Sequence, residues 1–596
     1  MSDAALFATS QRSHLCGSIR LTDVGLRVRL GGWVHRRRNL GGLVFVDLRD
    51  RAGIVQVSFN PELTDRAAVD AAAGLGTESV VVVEGEVVAR PEPMRNRELP
   101  TGDVEVRATS ISVVGPAVTP VIPVARGKGE LLPAEELRLR HRYLDLRRPE
   151  LQENLLLRHR LLQATRGYLS DRGFLEIETP NLTKPTPEGA RDYLVPSRVH
   201  PGEFYSLPQS PQLYKQLLMV SGFDRYFQIA RCFRDEDLRA DRQPEFTQID
   251  IEASFVGPED IYRIAEGLLA SLWRERGHVV PTPFRRLTYA AAMDRFGTDR
   301  PDLRYDLPIF EASDAFRATD FGIARAVLEA GGRVRGIRIP GGATLSRKQA
   351  DELELLAKGA GASGLLRLKR ANDALEGPAA KYLDERGREL LALNDGDLCV
   401  LVAGDDRISS VALDRIRQDV ARRMGLIAEG ELRFLWVTDF PAFQRDPTTR
   451  GLTFVHHPFT ALHPDDVELL GTAPERARAQ AYDVVLNGTE LGGGSIRISD
   501  PKLQGDVFRL LGIDEATAET RFAFLLEGLR AGAPPHGGIA FGFDRIVMLL
   551  AGAGSLRDVI AFPKTTAARA LFEGAPAPVP ASDLAELHIR VDGLSS

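Results

Sequence analysis

Phe233-Arg234-Asp235-Glu236, then Arg242-Gln243-Pro244-Glu245-Phe246, and about 300 residues later Gly542-Phe543-Asp544-Arg545, are the stretches on which the reading of this chain turns. An arginine beside two acids, with a second arginine far along the chain, suits a bent nucleotide triphosphate. Its phosphates need cationic clamps and its base needs a hydrogen-bond acceptor. The first tetrapeptide alone would read as a solvated charged turn. The second motif, in fixed order behind it, is what gives the first its weight.

A chain of 596 residues exceeds what one hydrophobic core organises and predicts roughly three to five domains. No stretch approaches the ~18 uninterrupted apolar residues of a membrane helix. Met1 to His14 lacks a charged segment followed by an apolar one, so nothing marks it for secretion. The cysteines, Cys16, Cys232 and Cys399, have no CxxC spacing, which argues against a disulfide framework and a zinc site and suits a reducing cytoplasm. Cys232 reads as a small buried filler. The net charge of −6 leaves nucleic-acid binding to local patches: Arg36-Arg37-Arg38, and the cluster Arg138, Arg140, His141, Arg142, Arg147 and Arg148. Only nine of the 76 basic residues are lysines, so Lys215 in a polar segment stands out as a site for a compact ammonium rather than a guanidinium fork.

Residues 15 to about 118 alternate in short β-like runs, among them Gly32-Trp33-Val34, Val44 to Leu48, Ile54 to Val57, Val80 to Val83 and Val104 to Val106, punctuated by glycines. Five or so strands with one helical segment near Pro61 to Ala73 suggest a small Greek-key barrel of the OB type, a single-stranded nucleic-acid binder. Phe45, with Arg49 beside it and Gln56 on the next strand, suits stacking an unpaired base and bonding its edge; periodicity alone fits plain core equally. Helical spacing from Asn154 to Arg172 stops at Gly173, before Phe174-Leu175-Glu176-Ile177-Glu178-Thr179-Pro180. Between the two arginine motifs lies a segment with a helix at Lys348 to Lys358 and a strand at Leu398 to Ala403. Its Ile339-Pro340-Gly341-Gly342 lacks the GxxxxGK[ST] pattern of a phosphate loop.

These motifs, with Thr186-Pro187-Glu188-Gly189-Ala190-Arg191-Asp192-Tyr193, Gln209-Ser210-Pro211-Gln212-Leu213-Tyr214-Lys215, Gly492-Gly493-Gly494-Ser495-Ile496-Arg497 and Pro534-Pro535-His536-Gly537-Gly538, resemble the bacterial-type aspartyl-tRNA synthetases, class II aminoacyl-tRNA synthetases of subclass IIb. The helix and strand ending at Pro180 resemble motif 1, FRDE with its sequel motif 2, and GFDR motif 3. The resemblance implies a multidomain α+β protein with an N-terminal OB-fold β-barrel, an antiparallel-sheet catalytic core and an inserted α+β domain. The boundaries follow: residues 1–118 anticodon-binding barrel, 119–148 hinge, 149–294 first part of the core, 295–430 the inserted GAD-like domain, 431–566 second part of the core, and 567–596 a C-terminal extension without an assigned role.

It also implies ATP-dependent attachment of L-aspartate to tRNA(Asp) through aspartyl-adenylate, with Mg2+, by a cytoplasmic homodimer that needs no membrane. Glu188, Ser210, Gln212, Lys215, Arg234, Asp250, His456 and Arg497 would surround aspartate, Arg497 gripping its side-chain carboxylate in bidentate fashion. Arg234, Asp235, Glu236, Gln243, Glu490, Gly542, Phe543, Asp544 and Arg545 would take ATP, and Asp483 with Glu490 the metal. Arg234, Glu490 and Arg545 would carry catalysis, and Arg36, Leu40, Phe45 and Gln56 would meet the anticodon. Selecting aspartate over asparagine needs cationic donors around a carboxylate, where an amide would set donor against donor. A lysine-specific relative would need acids where Lys215 and Arg497 stand. Leu40 matches the leucine usual in enzymes that charge only tRNA(Asp); the alternatives are an enzyme that also charges tRNA(Asn), or a non-catalytic RNA-binding paralogue.

Overall fold

The computed structural model describes residues 6–126, 129–185, 190–236, 241–317, 319–446 and 448–591. Its contacts divide the chain into two units. The first comprises Met1–His159, Asp237–Pro244 and Val547–Ala585; the second comprises Arg160–Glu236, Glu245–Ile546 and Glu586–Ser596.

In the first unit, strands β1 (Arg27–Leu40), β2 (Leu43–Asp50), β3 (Gly53–Phe59), β4 (Val80–Ala89) and β5 (Val104–Gly115) close into a barrel in the order β1-β2-β3-β5-β4. The alternation sorts side chains between faces. Val44, Val46 and Leu48 of β2 and Val55 and Val57 of β3 are buried inside, so Phe45 between them stands on the outer face, half-buried. Each buried valine or leucine contributes ~1.5–3 kcal/mol, so closure is driven by this valine-rich interior.

The basic run at 138–148 is not a basic surface. Asp145 is fully buried and gathers Arg148 at 2.6 Å, Arg142 at 2.8 Å and Arg138 at 3.5 Å. Arg142 also donates to the carbonyls of Arg557, Ile560 and Ala561, while Arg147 pairs with Glu78 at 2.9 Å and lies over Trp33. A buried carboxylate is tolerated only with such compensation, which is what consumes Arg138, Arg142 and Arg148, while Arg140 stays exposed.

The second unit is built on an eight-stranded sheet. Its order is Arg285–Thr288, Phe434–Thr438, Ala481–Leu486, Thr489–Ile496, His536–Gly542, Glu245–Ser254, Arg225–Phe233 and Leu175–Glu176, antiparallel except at its two edges. Strand His536–Gly542 thus lies between segments about 250 residues apart: Ser495 opposes Gly538, and Gly538 opposes Glu252. Between Thr288 and Phe434 the chain forms a second sheet of five strands, with helices Arg347–Gly359 and Asp406–Arg423 packed on it around Ile337, Leu353, Val400 and Ile416. Among the described residues no helix is long and apolar enough to cross a membrane.

Candidate active site

The centre of the large sheet carries charges that elementary physics would keep out of a core. Lys215, on helix Gln212–Val220, is buried and points its Nζ at Asp250 Oδ1 (2.6 Å) and Glu252 Oε2 (3.4 Å), both carboxylates on one face of strand Glu245–Ser254. Arg497 follows strand Thr489–Ile496 and closes the cage, giving Nε to Glu252 Oε1 at 2.9 Å and Nη2 to Glu252 Oε2 at 3.0 Å. Its Nη1 donates to Ser495 Oγ at 2.6 Å and to His457 Nε2 at 2.8 Å. Glu252 is thus the partner of Arg497's fork. Bidentate capture of a substrate carboxylate, as the sequence suggests, is replaced by one remaining N–H on Nη2, because a guanidinium carries only five donors. Lys215 likewise keeps one N–H beyond its two carboxylates.

The cage fixes protonation states. Burial raises Glu252, but Arg497 and Lys215 outweigh it and hold the carboxyl below its ordinary range. Burial raises Asp250 above its ordinary value, opposed by Lys215. Burial, then Arg497, drives His457 well below the usual imidazole range, so a neutral ring accepts from Arg497. Two groups keep capacity in reserve: Asp250 Oδ2 and, one helical turn before Lys215, Gln212 Nε2 are buried without a hydrogen-bond partner among the described residues. Each orphan costs ~1–3 kcal/mol, which a ligand with its own donors and acceptors would recover.

Glycines make the room. A Cβ on Gly538 would collide with Ile251 O and Glu252 Oε2, and one on Gly493 with Asp483 Oδ1. The Gly-rich motifs therefore mark where carboxylates lie across the neighbouring strand.

At the other end of the hairpin, Asp483 and Glu490 stand on adjacent strands. The Asp483 charge, then burial, push the Glu490 carboxyl up to about 7, opposed by Arg545. Two hard carboxylates that repel each other fit a divalent cation, although among the described residues no cluster of three or more ligating side chains exists. His456 Nε2 is 3.8 Å from Asp483, and its buried Nδ1 has no hydrogen-bond partner among the described residues. Arg545 Nη1 donates to Glu490 O at 2.6 Å. Asp544 accepts the Thr247 N–H at 2.8 Å and Phe543 is wholly buried, so these two anchor the turn that presents Arg545 instead of facing a ligand. Arg234 lies 5.0 Å from the Phe246 ring, its buried Nε without a hydrogen-bond partner among the described residues, and Asp235 is backbone-bonded to Arg191. Glu236 is exposed. Ser210 lines a cleft of about 360 Å³ with Asp192, Gln209 and Tyr214. Gln243 belongs to the first unit, where its side-chain amide exchanges two bonds with the Lys564 backbone at 2.8 and 3.0 Å. Glu188 lies outside the described residues.

Sequence reasoning missed Glu252, Ser495 and His457's bond, and also Asp299 and Arg300, whose charges act on Glu490. The signal for Glu252 was its spacing: two residues from Asp250 on a strand puts both carboxyls on one face.

On the barrel's outer face Arg38 lies 5.8 Å over the Phe45 ring and donates to Gln56 Oε1 (3.0 Å), while Gln56 Nε2 donates to Glu105 (2.8 Å) and Ser58 Oγ to the same carboxylate (3.0 Å). Arg49 does not flank Phe45: it is buried in a two-bond pair with Glu78. Leu40 is 66% exposed at the hairpin tip, and Arg36 donates to Arg126 O.

Known proteins are similar to this chain in sequence and fold. The family of tRNA synthetases class II (D, K and N) matches residues 134–566, and the OB-fold nucleic acid binding domain matches residues 28–114. The aspartate–tRNA ligase of Geobacillus kaustophilus is 50% identical over 588 residues, 98% of this chain and 99% of that protein. The aspartate–tRNA(Asp/Asn) ligase of Bacillus subtilis is 49% identical over 586 residues, covering 97% and 98%. The fold is shared with asparaginyl-tRNA synthetase from Pyrococcus horikoshii complexed with asparaginyl-adenylate, at a TM-score of 0.58 and 20% identity over 92% of this chain and 98% of that one. The chain belongs to the class II tRNA synthetases, among the bacterial aspartate–tRNA ligases.

Proposed function

We propose that the protein activates L-aspartate with ATP and transfers it to tRNA(Asp). The observation that carries this is the buried cage in which Lys215 and Arg497 each keep one free N–H. A side-chain carboxylate supplies an acceptor to both, whereas asparagine's NH2 would oppose one of them, a mismatch worth several kcal/mol in a buried site. Asp250 Oδ2 and the Gln212 amide, with Ser210, His456 and Glu188, are assigned the rest of the amino acid, Asp250 taking its ammonium group.

Arg234 holds the α-phosphate against the aspartate α-carboxylate, and Arg545 clamps the γ-phosphate, supported by Gly542, Phe543 and Asp544. Glu236 contacts ATP, with Asp235 supporting the turn. Asp483 and Glu490 are the residues that would hold Mg2+, which supplies charge neutralisation on the phosphates. No protein nucleophile is required: the carboxylate attacks the α-phosphorus, pyrophosphate leaves, and the tRNA 3′-hydroxyl then displaces AMP. The chain's contribution is positioning and electrostatics.

The barrel reads the anticodon through Phe45, Arg36, Gln56 and the Leu40 tip, and we take residues 1–118, 119–148, 149–294, 295–430, 431–566 and 567–596 as its functional segments. The protein acts as a homodimer in a reducing cytoplasm, in keeping with three free, buried cysteines. The identity of Leu40, a leucine exposed at the hairpin tip, favours charging of tRNA(Asp) alone; the relatives named for Asp/Asn favour the second reading, in which tRNA(Asn) is charged too. Aminoacylation with labelled aspartate on each tRNA in turn decides it: product on tRNA(Asp) only is expected, product on both establishes the second reading, and product on neither removes the function.

A further inference from the structure

Arg300 stands apart from the other arginines around the site. Among the described residues its guanidinium makes no hydrogen bond or ion pair, although the arginine four positions on is locked to Asp302 by contacts of 2.6 to 3.2 Å. It is exposed, yet the chain that carries it is held rigidly against the metal-site hairpin. Gly488 forms the tip of that hairpin, two residues before Glu490, and a Cβ there would touch Asp302 Cβ at 3.4 Å and Arg300 O at 3.9 Å. The Arg300 charge also acts on Glu490, Asp299 and Asp414.

What fixes the segment comes from the five-stranded insertion. Arg417, on helix Asp406–Arg423, is fully buried between the Phe296 and Tyr305 rings at 4.7 and 4.5 Å. It donates to Asp302 O at 2.7 Å and Leu307 O at 2.9 Å, pinning the connection on both sides of Arg304. Gly297, in the left-handed region at φ 73°, packs so closely on Ser410 O that no side chain fits. A buried guanidinium spent on two backbone carbonyls organises a loop, and a loop organised around a cation with no hydrogen bond or ion pair among the described residues, near three carboxylates, is suited to a polyanion that arrives with its own counter-ion.

We propose that Arg300 is a further cation for the pyrophosphate end of the nucleotide, and that Arg417 of the insertion is the positioning residue that presents it. This rests on the reading of Arg545, Asp483 and Glu490 as the triphosphate end. Arg300 would meet the β- and γ-phosphates as ATP binds and the pyrophosphate as it leaves.

The test is the inhibition constant of inorganic pyrophosphate, and its binding by calorimetry in magnesium, for the full-length wild type, Arg300→Ala, Arg300→Lys, Arg417→Lys and Arg545→Ala. Loss of one charged contact predicts pyrophosphate binding weakened about 10-fold or more in Arg300→Ala, with the KM for ATP raised in parallel and the KM for aspartate unchanged. Arg300→Lys should recover part of this. Arg417→Lys should show the same split, and Arg300→Ala/Arg417→Lys should be no worse than Arg300→Ala alone, which a merely structural role would not produce. If Arg545→Ala weakens pyrophosphate and Arg300→Ala does not, the proposal for Arg300 is wrong and the site stands. If neither does, the assignment of the triphosphate end falls with it.

Discussion

Glu252 shows how much depends on a single residue here. It neutralises two buried cations at once, and its removal would leave both Arg497 and Lys215 short of a counter-charge. Glu252→Ala should therefore destabilise the second unit by about 3–5 kcal/mol in urea denaturation. The isosteric Glu252→Gln should keep the fold while releasing the Arg497 fork; the expected outcome is a KM for aspartate raised at least 10-fold with the KM for ATP unchanged, read by ATP–pyrophosphate exchange. His35 offers a second residue-level prediction. Burial, then Arg49 and Arg36, lower its imidazole to about 4, so the unfolded chain binds a proton that the folded barrel refuses. Its contribution is fully present above the ordinary histidine value of 6.5 and is lost as pH falls towards about 4. Thermal melts from pH 7 to 4 should fall less steeply for His35→Gln than for the wild type; parallel curves would remove His35 from the pH dependence.

At the scale of elements, the central strands work because two of their neighbours have no side chain. Gly538→Ala would drive a methyl into Ile251 O and Glu252, and since the first obstacle is backbone, the strand itself must move. Activity loss of 100-fold or more on the order of several kcal/mol is expected, with an intact far-ultraviolet circular dichroism spectrum as the check that the sheet survives. In the barrel, strand alternation puts Phe45 outside while its neighbours fill the core, so Phe45→Ala should cost little stability. tRNA affinity should fall by about 10-fold, consistent with the loss of ~1–3 kcal/mol of base stacking, measured by filter binding at fixed salt.

At the scale of the molecule, sedimentation should give twice the 65.4 kDa chain mass; a single-chain mass at micromolar concentration would overturn the homodimer. Net charge is a poor guide at this scale. Basic residues at 138–148 read as a surface patch in sequence, yet Asp145 and backbone carbonyls 400 residues away in the chain draw several of them inside.

The sequence by itself determined the alternation that closes the valine-rich barrel, a helix read at 154–172 that the structure places at Pro149–Ser170, the insertion between the two arginine motifs, and the identities of Lys215, Asp250, Arg497, Asp483 and Glu490. These are local signals: period, punctuation, and residue types in fixed order. Only the tertiary structure decided what each charge faces. Arg497 spends its fork on Glu252 because strands at 245–254 and 536–542 bring segments about 250 residues apart within 3 Å, and Arg49 pairs with Glu78 because β1 and β4 meet at barrel closure. Ion-pair partners in a low-dielectric interior are chosen by proximity across the sheet, and that proximity is not written in the spacing of any one stretch.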